Sequence, residues 1–199
     1  MKTIGIVLLV LMLGTALSYS QYTQGTVEMS LMGTAGSIKP ETSFPGFPSL
    51  DSHSYFFLTG SVGYYLTDGL SLEPQFGLFA EKNSPPAETI LLNLSYTVEI
   101  PRSIVAPFFR AGYGIGNAFS YPFYGNIPSY SSDKWDVNVW TAGVGLKIAV
   151  KEDIILKTEV NYRQESLTVD VPAYYSISPT SYTMKESSFA FLIGFSVLL

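Results

Sequence analysis

Cysteine is absent from the 199-residue sequence, and histidine occurs once, as His53. Without cysteine there is no disulfide framework, no thiolate metal site and no thiol nucleophile. One histidine cannot form a histidine-rich metal site, which leaves only Asp and Glu clusters as ligand sets. Charge is scarce too: 14% of residues are Asp, Glu, Lys or Arg, against about 25% in ordinary soluble domains. A soluble β-protein clothes its outer face in charge, so the deficit argues against a water-exposed surface. Eleven basic residues stand against 16 acidic ones, a net charge of −5, or −6 if Lys2 is removed with a leader. No basic stretch is present to neutralise phosphates, which excludes nucleic acid as a partner.

Beyond the first twenty residues no apolar run approaches the roughly 20 needed to span a membrane as a helix, and helical periodicity is missing. At the N-terminus, Met1-Lys2, the apolar run Ile4–Leu13 and the small or polar residues Gly14–Ser20 form the pattern of a secretory signal peptide. Residues 1–20 are therefore expected to be cleaved after Ser18 or Ser20, leaving 21–199 as one domain. The apolar run is too short for an anchor helix.

What the sequence does have is hydrophobicity, at 47% with 15% aromatics, arranged with a period of two. The clearest instance is Gly60–Ala80. Thr67-Asp68-Gly69 supplies a tight turn, because Gly accepts the positive φ of a two-residue reversal. Before it, Phe56, Leu58, Val62, Tyr64 and Leu66 share one face. After it, Leu70, Leu72, Pro74, Phe76, Leu78 and Ala80 do the same, opposite Ser71, Glu73, Gln75, Gly77 and Phe79. Pro74 cannot donate to a ladder, so a local bulge is expected there.

The same alternation repeats along the chain. Gly25–Ala35 reads as a first strand and Glu88–Ile100 as a fourth. Pro107–Gly116, Val139–Ile148 and Leu156–Arg163 follow as strands five to seven, and Ser188–Leu199 as the eighth. Between them, Gly36–Ser52, Glu81–Ala87, Asn117–Asp133 and Gln164–Glu186 read as long loops. Asp68-Gly69, Pro101-Arg102-Ser103 and Lys151-Glu152-Asp153 read as short turns. Long and short connections thus alternate. The fold expected is all-β, an eight-stranded antiparallel up-and-down barrel. Gly112, Gly114 and Gly116 sit on one strand face with no helix following, so they make room inside a narrow barrel rather than form a phosphate loop.

Alternation alone leaves open whether the apolar face points inward, as in a soluble lipocalin-like carrier, or outward into lipid. Low charge favours lipid, and so do the aromatics Phe56, Tyr64, Tyr113, Trp135 and Tyr162 near strand ends. The lumen would then receive Glu28, Glu73, Gln75, Glu99, Arg110, Lys147, Lys157, Glu159, Asn161 and Arg163. Charges of both signs in so small a space are expected to pair and to plug it.

The stretch Val62-Gly63-Tyr64-Tyr65-Leu66-Thr67-Asp68-Gly69-Leu70-Ser71-Leu72 resembles the turn common among small eight-stranded outer-membrane barrels of the OmpA/OmpX type, the "porin family" barrels, and the architecture extends that resemblance over nearly the whole mature chain. The last strand, with Phe191, Ile193, Phe195, Val197 and Leu199, resembles the family's C-terminal assembly signal, which ends in Phe or Trp where this chain has Leu199. The resemblance implies a cell-envelope protein of the bacterial outer membrane, monomeric, with outer-membrane lipid and the assembly machinery as partners, no cofactor and no enzymatic role. A narrow diffusion channel and an outer-membrane lipid hydrolase are the alternatives within that location.

Two catalytic readings compete with structural ones. His53 beside Ser54 suggests ester hydrolysis, yet adjacent residues on a strand point to opposite faces. Glu73 and Glu159 around Arg110 suggest a glycosidase pair, but an intervening arginine holds both carboxylates ionised. The loop tyrosines Tyr121, Tyr124, Tyr130, Tyr174, Tyr175 and Tyr182 form a candidate binding surface for an extracellular ligand.

Overall fold

The computed structural model describes residues 21–38, 53–81, 86–117, 135–171 and 180–199. They form a closed barrel in which each strand pairs antiparallel with the next and β8 returns to β1. The strands are β1 (Val27–Ile38), β2 (His53–Thr67), β3 (Leu70–Glu81), β4 (Ala87–Thr97), β5 (Val105–Gly116), β6 (Val137–Ala149), β7 (Ile154–Val171) and β8 (Thr180–Leu198). Residues 1–20, and with them the signal-peptide expectation, lie outside the described residues.

Register sets the width of the barrel. A line of paired residues runs from Ser30 through Ser61, Gln75, Leu91, Gly114, Val139 and Glu165 to Glu186. In the β8–β1 register Ser30 itself pairs with Ser196, ten residues along β8 from Glu186. Eight strands with that stagger tilt by about 40° and enclose a bore that side chains alone can fill.

The alternation resolves with the apolar face outward. Phe108 is fully buried while its neighbour Phe109 is 55% exposed. Leu31, Leu92, Leu94, Val144, Phe191, Ile193 and Phe195 are likewise exposed around the wall. Water would solvate such a belt poorly, whereas lipid suits it, so the soluble carrier is excluded. Tyr113, Trp140 and Tyr162 mark the loop end of the belt. There Tyr113 donates to Asn138 Oδ1 at 2.7 Å and Trp140 Nε1 to Gln164 Oε1 at 2.6 Å, as amphipathic rings do at a membrane interface.

The hairpin at Asp68-Gly69 forms with Gly69 at φ 77°, and Thr67 pairs with Leu70 across it. A side chain at Gly69 would run into the Thr97 carbonyl, so the position requires glycine on two counts.

Several expectations are corrected. The bulge lies between Tyr65 and Thr67, next to the turn, and not at Pro74. Pro74 pairs in unbroken register with Leu92 and faces outward, while the β2–β3 ladder omits the two pairs Val62/Pro74 and Gly63/Glu73 and resumes in the same register at Tyr64↔Leu72. The missing donor therefore interrupts the ladder over two pairs without shifting the strand. The segment Gln164–Glu186 is mostly strand, because β7 continues to Val171 and β8 begins at Thr180, paired down to Ser166↔Lys185 and beyond. β4 ends at Thr97, so Val98–Ile104 is a longer connection than residues 82–86, and long and short connections do not alternate strictly.

Leu94 on β4 and Val144 on β6 are outward positions within the apolar belt, separated by β5. Leu94→Lys or Val144→Lys is expected to cost about 2–4 kcal/mol, read by folding titrations into lipid vesicles. Glu152→Lys, in the β6–β7 turn, is expected to cost little. Equal tolerance at all three sites would contradict a lipid-facing wall.

Candidate functional site

The inward side chains stack in layers. At the short-turn end, Tyr22, Tyr65, Ala106 and Ile155 close the bore with Leu198. The middle is polar. Towards the loop end, Met32, Phe57, Phe79, Ala87 and Leu192 form one apolar cluster, and Leu91, Val137, Val139 and Leu167 form another.

Glu28 on β1 is the centre of the lower polar half. Its carboxylate accepts from Lys147 Nζ at 2.6 Å, from Tyr65 Oη at 2.7 Å, from Ser30 Oγ at 3.2 Å and from Lys157 Nζ at 3.3 Å. Lys147 also donates to Tyr65 Oη at 2.8 Å and lies 4.9 Å from the Tyr22 ring centre. Lys157 lies 4.9 Å from the Phe108 ring. Fully buried ammonium groups persist because carboxylate and aromatic faces replace the water they lose.

Arg110 on β5 organises the upper polar half. Its Nη2 donates to Glu159 at 2.8 Å and its Nη1 to Gln75 Oε1 at 2.9 Å, with Glu73 at 3.8 Å. Glu73 also accepts from Ser71 Oγ at 2.9 Å and lies 3.9 Å from Lys157, which links the two halves. Asn161 Nδ2 donates to Glu159 at 2.7 Å, and Asn93 Nδ2 to Gln75 at 3.0 Å. Above them, Arg163 Nε donates to Glu165 at 2.6 Å, with its guanidinium 5.6 Å from the Phe57 ring.

Glycines make this crossing of side chains possible. A Cβ at Gly143 would overlap the Glu159 carboxylate, and one at Gly112 would overlap the Asn93 amide. Both positions are glycine because a polar side chain from a neighbouring strand passes over them.

Glu28, Glu73, Gln75, Arg110, Lys147, Lys157, Glu159, Asn161 and Arg163 are thus all buried within the bore. Glu99 is not, and this corrects the reading that placed it there. It follows the end of β4, where alternation no longer determines facing, and lies exposed at the short-turn rim. There its Oε1 accepts the Tyr22 backbone N–H at 2.8 Å. Burial, then Glu28 and Glu99, push the Tyr22 phenol well above its ordinary pKa. Sequence reasoning missed Tyr22 and Glu165 as parts of this network. Glu165 was legible, since it keeps the parity of Lys157, Glu159, Asn161 and Arg163. Tyr22 carried no signal, because it precedes the first strand.

Four buried carboxylates, Glu28, Glu73, Glu159 and Glu165, face four buried cations, Arg110, Lys147, Lys157 and Arg163. Among the described residues these eight charges cancel, so the polar middle of the bore carries no net charge. Among the described residues no group of three His, Asp or Glu is arranged to hold a metal ion. Arg110 lies between Glu73 and Glu159, so this pair has a salt-bridge geometry. His53 begins β2 opposite Ile38, and Ser54 beside it is exposed. Tyr121, Tyr124, Tyr130, Tyr174 and Tyr175 lie outside the described residues. Tyr182 does not lie in a loop: its backbone is part of β8, paired with Val169.

The family model described as Outer membrane protein beta-barrel domain matches residues 6–195. No curated protein matches the chain in sequence. Among solved structures, the N-terminal β-barrel domain of Pseudomonas aeruginosa OprF is similar at 16% identity and a TM-score of 0.53, over 88% of this chain and 98% of that one. Neisserial surface protein A is similar at 14% identity and a TM-score of 0.50, over 87% of this chain and 97% of that one.

Arg110→Ala leaves Glu159 and Gln75 without their shared donor and is expected to cost about 3–5 kcal/mol. Urea titration of the protein in vesicles measures it. Adding Glu159→Gln is expected to recover part of the loss, and strictly additive losses would show that the two groups are not coupled.

Proposed function

From the chain's membership of the outer membrane protein β-barrel domain family, we propose that it is a structural and surface-interacting barrel whose lumen is plugged. It is a bacterial outer-membrane protein, with its strands in lipid and both described chain ends at the short-turn rim. Even strand number and short turns assign that rim to the periplasm. The observation that carries the reading is the filled, electroneutral bore. An ion entering it would have to break at least one of the contacts joining Glu28, Lys147, Lys157, Glu73, Arg110 and Glu159, with no net field to draw it in.

Tyr22 reinforces the plug from below. Its ring lies 5.7 Å from that of Tyr65, and its carbonyl accepts the Gly69 N–H at 2.8 Å. This seats it in the periplasmic mouth immediately after the expected cleavage site. Interaction with the outside is then left to the loop end, where β7 and β8 extend beyond their other neighbours as a hairpin and where the tyrosine-bearing connections belong. The barrel acts as a monomer, because its closed wall needs no partner strand in its lower half. Leu199 and the alternating Phe191, Ile193, Phe195 and Val197 serve as its recognition strand for assembly.

A narrow diffusion channel is the second reading, favoured by one observation. Arg110 Nε and the Ser95 and Ser196 hydroxyls have no hydrogen-bond partner among the described residues. Buried polar groups of this kind usually bind internal water, which would support brief, small currents.

Planar-bilayer recording separates the two. The expected result is rare, small openings in the wild type and larger or longer ones in Arg110→Ala and Tyr22→Ala. Large, steady wild-type conductance that neither substitution alters would overturn the plug.

A further inference from the structure

The wall is not equally sealed all round. β1 and β8 pair from Glu28↔Leu198 to Gly33↔Ile193, and no pair forms between their described residues beyond that point. Both strands nevertheless continue. β1 remains on β2 as far as Ile38↔His53, and β8 remains on β7 as far as Thr180. Kept in register, Thr34 would face Leu192, Ala35 would face Phe191 and Gly36 would face Ala190. Instead, among the described residues, the facing edges of the two strands have no partner strand there.

The height of this split matters. Phe189 on β8 pairs with Tyr162 and its ring lies 5.0 Å away, while the Trp140 ring lies 5.1 Å from Tyr162 on the other side. These three outward rings form the loop-end aromatic row, the mark of the headgroup boundary. The split begins below the row, between Ile193 and Phe189, and therefore opens into the outer-leaflet hydrocarbon. Phe191 and Ala35, which flank it, are both exposed on the outer face. Hydrocarbon cannot satisfy the amide N–H and C=O groups of the two edges, each of which is costly when left unpaired.

Behind the split the lining changes from polar to apolar. Met32 and Leu192 stand at its base, and Phe57, Phe79 and Ala87 continue the cluster inward. Thr34 and Ala190, the half-buried inward residues beside the edges, are small. Below the cluster the Arg110 layer of ion pairs and hydrogen bonds fills the bore, so the apolar cluster is cut off from the other end of the barrel.

We propose that the split between β1 and β8 is a lateral binding slot for one acyl chain of an outer-leaflet lipid. The lipid's ester or amide linkage lies between the facing edges, where its carbonyl accepts edge N–H groups. Its chain turns through the wall onto Met32, Leu192 and Phe57. An acyl lipid fits both halves of the site, since a plain hydrocarbon leaves the edges unpaired and a polar solute gains nothing from the apolar base. The slot is separate from the axial bore, so it stands or falls independently of whether the plug conducts.

The test uses the full-length protein in phosphatidylethanolamine vesicles containing a phosphatidylethanolamine with a diazirine in its acyl chain. After irradiation, adducts are mapped by mass spectrometry. Adducts on Met32, Leu192 or Phe57 are expected in addition to those on outward residues such as Leu94. The wild type has no cysteine, so the pair Ala35→Cys and Phe191→Cys provides a clean staple across the split. Oxidising it is expected to abolish the inner adducts, reduction to restore them, and Leu94 labelling to be unchanged throughout. Wild-type labelling confined to outward residues would overturn the proposal, as would inner adducts that persist in the oxidised staple.

Discussion

Everything inside this barrel depends on the requirement that a charge shut away from water must meet its opposite. Glu28 shows how this is done. One carboxylate takes two ammonium groups, a phenol and a serine hydroxyl, so no lone pair facing the bore is wasted. Those donors come from β1, β2, β6 and β7, which means that the wall must close before the contacts exist. Lys147 alone in a lipid-facing strand would be a liability; opposite Glu28 it ties β6 to β1 across the bore. The ion pairs are therefore better understood as setting which wall closes on which than as a large net source of stability, since desolvation offsets much of their attraction.

That requirement also explains the small residues. An eight-stranded bore has little spare volume, and Glu159, Asn93 and Arg110 must all cross it at nearly one level. Gly143 and Gly112 are the places where they cross. The glycine-rich face of β5 and β6 and the charged faces of β1, β3 and β7 are thus one packing solution, with side-chain bulk concentrated on some strands and removed from others.

Because a strand's facing depends only on parity, most of this was legible from the sequence. Every residue from Glu73 to Arg163 that lay within a strand could be assigned a side by counting in twos, and the low charge decided which side was outside. Errors arose where counting loses its physical basis. Glu99 lies two residues beyond the end of β4, where no ladder fixes its direction. Glu165 was lost for the opposite reason: polar residues after Arg163 suggested a loop, yet β7 continues because its partner β8 continues. Tyr22 could not be read at all. It lies outside every strand, and its burial depends on the Gly69 and Glu99 contacts made by two distant turns. Pro74 shows that a local rule can hold while its expected consequence fails, since the missing donor interrupted the β2–β3 ladder over two pairs and left the register intact.

The two ends of the barrel differ in how they deal with backbone groups, and this follows from topology. At the short-turn rim, turns bring neighbouring strands to a common level, the segment before β1 folds under the bore, and Leu199 exchanges hydrogen bonds with Val27, so the seam between first and last strands is sealed. Away from that rim β1 and β8 have no turn in common; each follows its own hairpin partner, and β7–β8 is the longest hairpin in the wall. Bulky inward Met32 and Leu192 lie where the strands part. The first and last strands of an up-and-down barrel are the one adjacent pair with no chain connection, so a lateral opening costs least at their seam, and it opens at the end farther from the termini.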